Sequence, residues 1–221
     1  MQAGIFYNSL IRLFLIVILQ SQREIDFRTK KISKLVWDYA LPGIVGTLVT
    51  MLYNVVDRIY IGQGVGALAI SGLAITMPVI NLTSSLGMLV GAGAAARISI
   101  SLGRNDKQTA EKILGNSLLL TLILNAVFIT LFVYYLDPIL ISFGASELTL
   151  PYARDYLQIV LLGNVLVSLT YNFNAMMRAS GYPQKAMYTM LIGAVINTIL
   201  SPIFLFGFNM GIRGVAWATV I

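Results

Sequence analysis

Residues 114–136 read LGNSLLLTLILNAVFITLFVYYL and contain no Asp, Glu, Lys or Arg. A helix needs ~20 mostly apolar residues to cross the ~30 Å hydrocarbon core of a bilayer, so this stretch is long enough to span a membrane. Other charge-free stretches occur along the chain at residues 39–56, 59–96, 156–177 and 186–212. The sequence therefore predicts an all-α, polytopic membrane protein.

The stretch at 59–96 is too long for one simple span. Three glycines within residues 62–66 predict a loop near its start, followed by a helix over about Ala67–Ile98. This division gives five complete spans. A sixth apolar run begins near Gly211 and continues through residues 215–221, which is too short to cross a bilayer. We therefore expect a six-helix bundle whose sixth helix is incomplete in this chain, as if the chain were cut through it.

The composition supports the membrane assignment and limits the chemistry. Of 221 residues, 57% are hydrophobic and 11% are charged, and the mean hydropathy is +0.82. A soluble domain has about a quarter charged residues, so this surface faces something other than water. The absence of cysteine and histidine excludes zinc sites built on those residues, thiol nucleophiles, disulfides and a Ser-His-Asp triad. We expect no enzymatic activity, no metal centre and no cofactor.

The basic residues predict the orientation, because cytoplasmic loops carry an excess of Lys and Arg. Of the 15 basic residues, those on the predicted cytoplasmic side are Arg12, Arg23, Arg28, Lys30, Lys31, Lys34, Arg97, Arg104, Lys107, Lys112, Arg178 and Lys185. The opposite side has only Arg58, Arg154 and Arg213. The N-terminus is therefore predicted to be cytoplasmic. Residues 1–32 are interpreted as a cytoplasmic or interfacial extension, in preference to a seventh span, and residues 33–221 as the helical lobe.

Asp57 is the only acidic residue between Asp38 and Asp106, and it follows an otherwise apolar span. A charge at membrane depth costs about 2.5–3.5 kcal/mol on insertion scales, so such a residue is a functional candidate. The alternative is that Asp57 pairs with Arg58 at the outer interface and only ends the helix. The residues alone leave both interpretations open.

Buried amides are the second candidate feature. Asn172 and Asn174 lie near the end of the fourth span, and Asn197 and Ser201 share one face of the fifth because they are four residues apart. Such groups often only hydrogen-bond across helices in lipid. As a cluster they could instead provide oxygen ligands for Na⁺, with Asp57 as the carboxylate.

Taken together, the motifs of this chain resemble those of the MATE family of multidrug and toxic compound extrusion transporters. The resemblance covers about residues 33–221. It rests on VDRIYIG at 56–62, GALAISGLA at 66–74, LGRND at 102–106, RASGYP at 178–183 and GVAWATVI at 214–221.

The resemblance implies one lobe of a fold with twelve helices in two lobes related by pseudo-twofold symmetry. Such transporters export organic cations and other amphipathic drugs in exchange for inward Na⁺ or H⁺, from the inner or plasma membrane. The implied partners are the lipid bilayer, drug molecules, and a missing C-terminal lobe or a second half-transporter chain, without nucleic acid. We expect these 221 residues alone not to transport.

The resemblance also implies a cation-binding site in this lobe. It would comprise Asp57, Asn174, Asn197 and Thr219, and the family often has a second acid where this chain has Ser201. The missing carboxylate predicts weaker or altered ion coupling. The resemblance assigns no residue to the drug cavity. Two alternatives remain: an inactive truncated membrane protein, and a flippase for lipid-linked saccharides of the same superfamily.

Overall fold

The computed structural model describes residues 31–221, so the predicted interfacial extension lies almost wholly outside the described residues. The described part contains seven α-helices and one π-helical segment. These are α1 (Ile32–Gly64), α2 (Ala67–Gly103), α3 (Lys107–Tyr134), α4 (Leu136–Ser142), α5 (Leu150–Ala179), α6 (Pro183–Pro202), the π-helix (Ile203–Gly207) and α7 (Ile212–Val220).

Five of these segments are long and apolar enough to cross a membrane, which confirms the predicted spans. They are α1, α2, α3, α5, and α6 together with the π-helix. Large apolar side chains remain exposed on their outer faces, such as Leu119, Ile123 and Val127 of α3. In a membrane, acyl chains cover such faces, and every backbone polar group of the helix is satisfied internally.

The centre of the lobe is the contact between α2 and α5, and it depends on small residues. A Cβ atom added at Gly87 would lie 2.7 Å from the Cα of Ser168, and one at Gly91 would lie 3.0 Å from the Cα of Asn172. Only glycine lets the two backbones approach this closely, as is common where membrane helices pack. Around this pair, α3 packs on both helices, α1 packs on α6, and α7 packs on α5 and α6.

The turn before α3 shows how a helix start is built from the sequence. The Asp106 carboxylate accepts a hydrogen bond of 3.0 Å from the backbone N–H of Thr109, one of the groups that a helix leaves unpaired at its start. Hydrogen bonding from Thr109, first from its side chain and then from its backbone N–H, holds the pKa of Asp106 below its ordinary value. The LGRND motif thus includes the N-cap of the third span.

The structure corrects three details of the predicted spans. The loop between the first two spans contains only Val65 and Gly66, because Gly62 and Gly64 are helical, and Asp57 therefore does not end α1. The second span continues to Gly103, beyond the predicted end. The short helix α4 and the π-helix were not predicted.

Candidate functional site

Asp57 is buried between α1 and α6, with 6% of its surface exposed. It lies seven residues before the end of α1, about 10 Å along the helix axis. Its Oδ1 atom accepts a hydrogen bond of 2.6 Å from the hydroxyl of Ser201, which is completely buried. The alternative in which Asp57 only ends the helix is therefore wrong. The carboxylate joins two spans that are far apart in sequence.

Ser201 lies where α6 changes its helical geometry. Pro202 follows it and has no N–H to donate, and the chain then continues as the π-helix Ile203–Gly207. Short π-helical turns inside longer helices often occur at functional sites. The sequence therefore places a wide, irregular turn directly after the residue that bonds Asp57.

Asn197 lies one turn before Ser201 on the same face of α6, as the spacing predicts, and it is buried beside the Asp57 carboxylate. The contact falls outside hydrogen-bonding geometry, since neither polar atom of the Asn197 amide has a hydrogen-bond partner within the described residues. A buried polar group without a partner costs about 1–3 kcal/mol. The region around Asp57 thus contains polar groups whose bonding capacity is unused.

Thr219 lies on α7. It is half-buried, and its hydroxyl donates to the backbone oxygen of Val215 at 2.9 Å. The hydroxyl of buried Tyr156, on α5, lies beside Thr219 and within electrostatic range of Asp57. Sequence reasoning missed Tyr156. The sequence feature that could have identified Tyr156 is its position as the first residue of the charge-free stretch of the fourth span.

Asn174 makes its hydrogen bonds elsewhere. Its amide nitrogen donates to the backbone oxygen of Thr170 at 3.2 Å and to the hydroxyl of Thr189 at 3.3 Å, and its oxygen is buried without a partner among the described residues. Thr189 precedes Asn197 by eight residues, about 12 Å along α6. The structure therefore groups Asp57, Asn197 and Ser201, places Thr219 beside Tyr156, and pairs Asn174 with a different turn of α6.

A separate set of buried polar groups lies between α3 and α5. Asn125 accepts hydrogen bonds from Asn164 at 2.9 Å and from Ser168 at 3.1 Å, and Asn172 donates to the hydroxyl of Thr121 at 2.8 Å. These bonds join two spans in the way expected of polar groups in a membrane bundle. Asn172 therefore belongs to the helix contacts and not to the group around Asp57.

The comparison with protein families decides the assignment of this lobe. The MatE family model matches residues 42–203, which include Asp57, Asn174, Asn197 and Ser201. The chain belongs to the MatE family. It is also 30% identical over 195 residues to the multidrug export protein MepA of Staphylococcus aureus, in a match that covers 88% of this chain and 43% of MepA. MepA of Staphylococcus haemolyticus matches with the same identity and coverage.

Solved structures of MATE transporters have the same fold. The crystal structure of a MATE mutant has a TM-score of 0.82 and 25% identity, and the match covers 91% of this chain and 45% of that structure. The outward-facing conformation of a multidrug resistance MATE transporter has a TM-score of 0.77 and 28% identity, with 82% and 40% covered. This MatE family chain thus spans less than half the length of the relatives that it matches, and it corresponds to a single lobe of the two-lobe fold.

Proposed function

We propose that this chain is one lobe of a secondary active multidrug exporter of the plasma membrane, which moves drugs outward in exchange for inward Na⁺ or H⁺. Membership of the MatE family and the similarity to the multidrug export protein MepA support the transport assignment. The observation that carries the proposal is the buried Asp57 carboxylate, joined to Ser201 across two spans. A charge is retained at membrane depth at considerable cost, which is typical of groups that bind or carry ions.

Either cation would act on the same carboxylate. Hard cations take oxygen ligands, and the Asp57 carboxylate, the Ser201 hydroxyl and the unpaired oxygen of Asn197 are oxygens that this region offers. A proton would bind Asp57 directly and make it neutral. In both cases the cation removes the net charge of the buried group, and this change in charge would favour a different arrangement of α1 and α6.

The transport cycle would need a second lobe, either a C-terminal lobe or a second half-transporter chain, because the family builds its cavity between two lobes. The distribution of Lys and Arg supports a cytoplasmic N-terminus. Lipid-linked saccharide export is not favoured. It would suit a cationic cavity, and Arg213, one of the few basic residues away from the cytoplasmic loops, is paired with Asp155.

The test is an Asp57→Asn substitution in a transporter that joins this chain to a C-terminal MATE lobe. The substitution keeps the shape of the side chain and removes its charge. We expect drug resistance of an efflux-deficient strain to fall to the level of the empty vector, with an unchanged amount of protein in the membrane. A matched control is Glu147→Gln, which removes an acid from an exposed turn. Undiminished resistance in the Asp57→Asn variant would overturn the proposed role.

A further inference from the structure

Helix α7 carries Thr219, and the contacts of α7 with α5 differ between its two ends. At the deeper end, Val220 packs closely on Gly163. A Cβ atom added at Gly163 would overlap the side chain of Val220. At the outer end, Arg213 donates a hydrogen bond of 2.7 Å from Nη2 to Oδ1 of Asp155. One contact is apolar, and the other is a directional ion pair.

The residues of the ion pair are close in sequence to the residues of the site. Asp155 directly precedes Tyr156, whose hydroxyl lies beside Thr219. Arg213 precedes Thr219 by six residues on α7, about 9 Å along the helix axis. Any rotation or sliding of α7 that broke the ion pair would therefore also move Thr219 relative to Tyr156.

The apolar contacts of α7 set how close it lies to its neighbours. Besides the contact at Gly163, a Cβ atom at Gly214 would lie 2.9 Å from the backbone carbon of Phe204 in the π-helix. Close packing of this kind restricts sliding at the deeper end of α7, and dispersion contacts add no preferred direction that would fix the register of its outer end along α5. A charge-assisted hydrogen bond has a preferred geometry and can fix that register.

We propose that Asp155 and Arg213 form a positioning pair that sets the register of α7 on α5 and thereby holds Thr219 beside Tyr156. The inference rests on the proposed cation-coupling function of that region. Neither residue touches the cation; the pair acts through the placement of Thr219.

A neighbouring ion pair provides a matched control. Arg154, the residue before Asp155, pairs with Asp137 of α4, and its Nε donates to Oδ1 at 2.7 Å. The exposed fractions of the side chains are comparable: 45% and 36% for Arg154 and Asp137, against 61% and 33% for Arg213 and Asp155. The control ion pair joins α5 to α4 and does not include a residue of α7.

The test uses the 221-residue chain in lipid nanodiscs and the fluorescence of Trp217. Trp217 lies on α7 two residues before Thr219, and replacing Trp37 by Phe leaves it as the only tryptophan. Emission is titrated with Na⁺ at constant pH, and with pH in Na⁺-free buffer. The variants are Asp155→Asn, Arg213→Gln, the exchanged pair Asp155→Arg with Arg213→Asp, and the controls Asp137→Asn and Arg154→Gln.

We expect each single variant of the positioning pair to raise the half-saturating cation concentration about two- to five-fold, the range that an exposed ion pair can supply. The exchanged pair should restore the parent value, and the controls should leave it unchanged. Equal shifts of the half-saturating concentration in the positioning and control variants, or no rescue by the exchanged pair, would overturn the positioning role of the pair. Those results would leave the proposed coupling site unaffected. A chain whose Trp217 does not respond to either cation, or whose response survives Asp57→Asn, would overturn the coupling site and this role with it.

Discussion

The hydrogen bond from Ser201 to Asp57 should contribute about 1.5–3 kcal/mol to the stability of the lobe, because its acceptor is a buried carboxylate. Ser201→Ala removes the donor and leaves the charge buried without it. The variant should therefore lower the free energy of unfolding by about 1.5–3 kcal/mol. Both residues are almost fully buried, and this loss of stability comes from one contact between two spans.

Asp57→Asn should behave differently, because two effects oppose each other. It exchanges the charged hydrogen bond, worth about 1.5–3 kcal/mol, for a neutral one worth about 0.5–1.5 kcal/mol, because the amide oxygen can still accept from Ser201. It removes a charge that costs about 2.5–3.5 kcal/mol at membrane depth. The net change in the free energy of unfolding should lie within about 0–3.5 kcal/mol in favour of the variant, although the variant should be inactive in transport. A stabilising substitution that abolishes activity is the expected sign of a functional site.

The measurement is a double-mutant cycle with the parent chain, both single variants and the double variant, unfolded reversibly in micelles or bicelles. Because the Asn side chain can still accept a neutral hydrogen bond from Ser201, the cycle measures the excess strength of the charged bond, and we expect a coupling energy of about 0.5–2.5 kcal/mol. Ser85→Ala is the control, because Ser85 bonds within its own helix, to the backbone oxygen of Asn81; it should change stability by less than about 0.5 kcal/mol. A coupling energy below about 0.5 kcal/mol would refute the reasoning.

Three further predictions test the fold, the ion site and the orientation. Gly87→Val should sharply reduce the yield of monodisperse protein in size-exclusion chromatography, because the side chain would meet the α5 backbone, whereas Gly93→Val has open space and should be tolerated. Ser201→Asp in a two-lobe transporter should strengthen the Na⁺ or H⁺ dependence of efflux, since it adds a second carboxylate; an unchanged dependence would exclude Ser201 from the ion site. The chain has no cysteine, so a single cysteine introduced at Asn105 or at Glu147 can be labelled selectively. The cysteine at position 105 should react only from the cytoplasmic side and the one at position 147 only from outside. The reverse pattern would contradict the predicted topology.

The spans could be predicted from the sequence because hydrocarbon tolerates few charges, and charge-free stretches mark the helices directly. The pairing of Asn197 and Ser201 on one face also follows from helical spacing. The continuation of α1 through Gly62 could not be predicted, because glycine breaks helices in water but is common in membrane helices. Tyr156 was missed because its role depends on which spans are neighbours, and the apolar pattern of each span contains no information about its neighbours.

The presence of one carboxylate, Asp57, at the proposed site has a physical consequence for the proposed coupling. A single Asp57 has one negative charge, and one Na⁺ or one proton brings the loaded site to neutrality. With a second acid, binding of the same single cation would leave a net negative charge buried among α1, α6 and α7. Burying that charge would cost several kcal/mol in a medium of low dielectric constant. Ser201 donates a hydrogen bond to Asp57, which stabilises the empty, charged site. A serine at position 201, compared with an acid there, therefore narrows the difference in free energy between the empty site and the cation-loaded site. We expect it to weaken cation binding and, at the same time, to lower the electrostatic cost of releasing the cation.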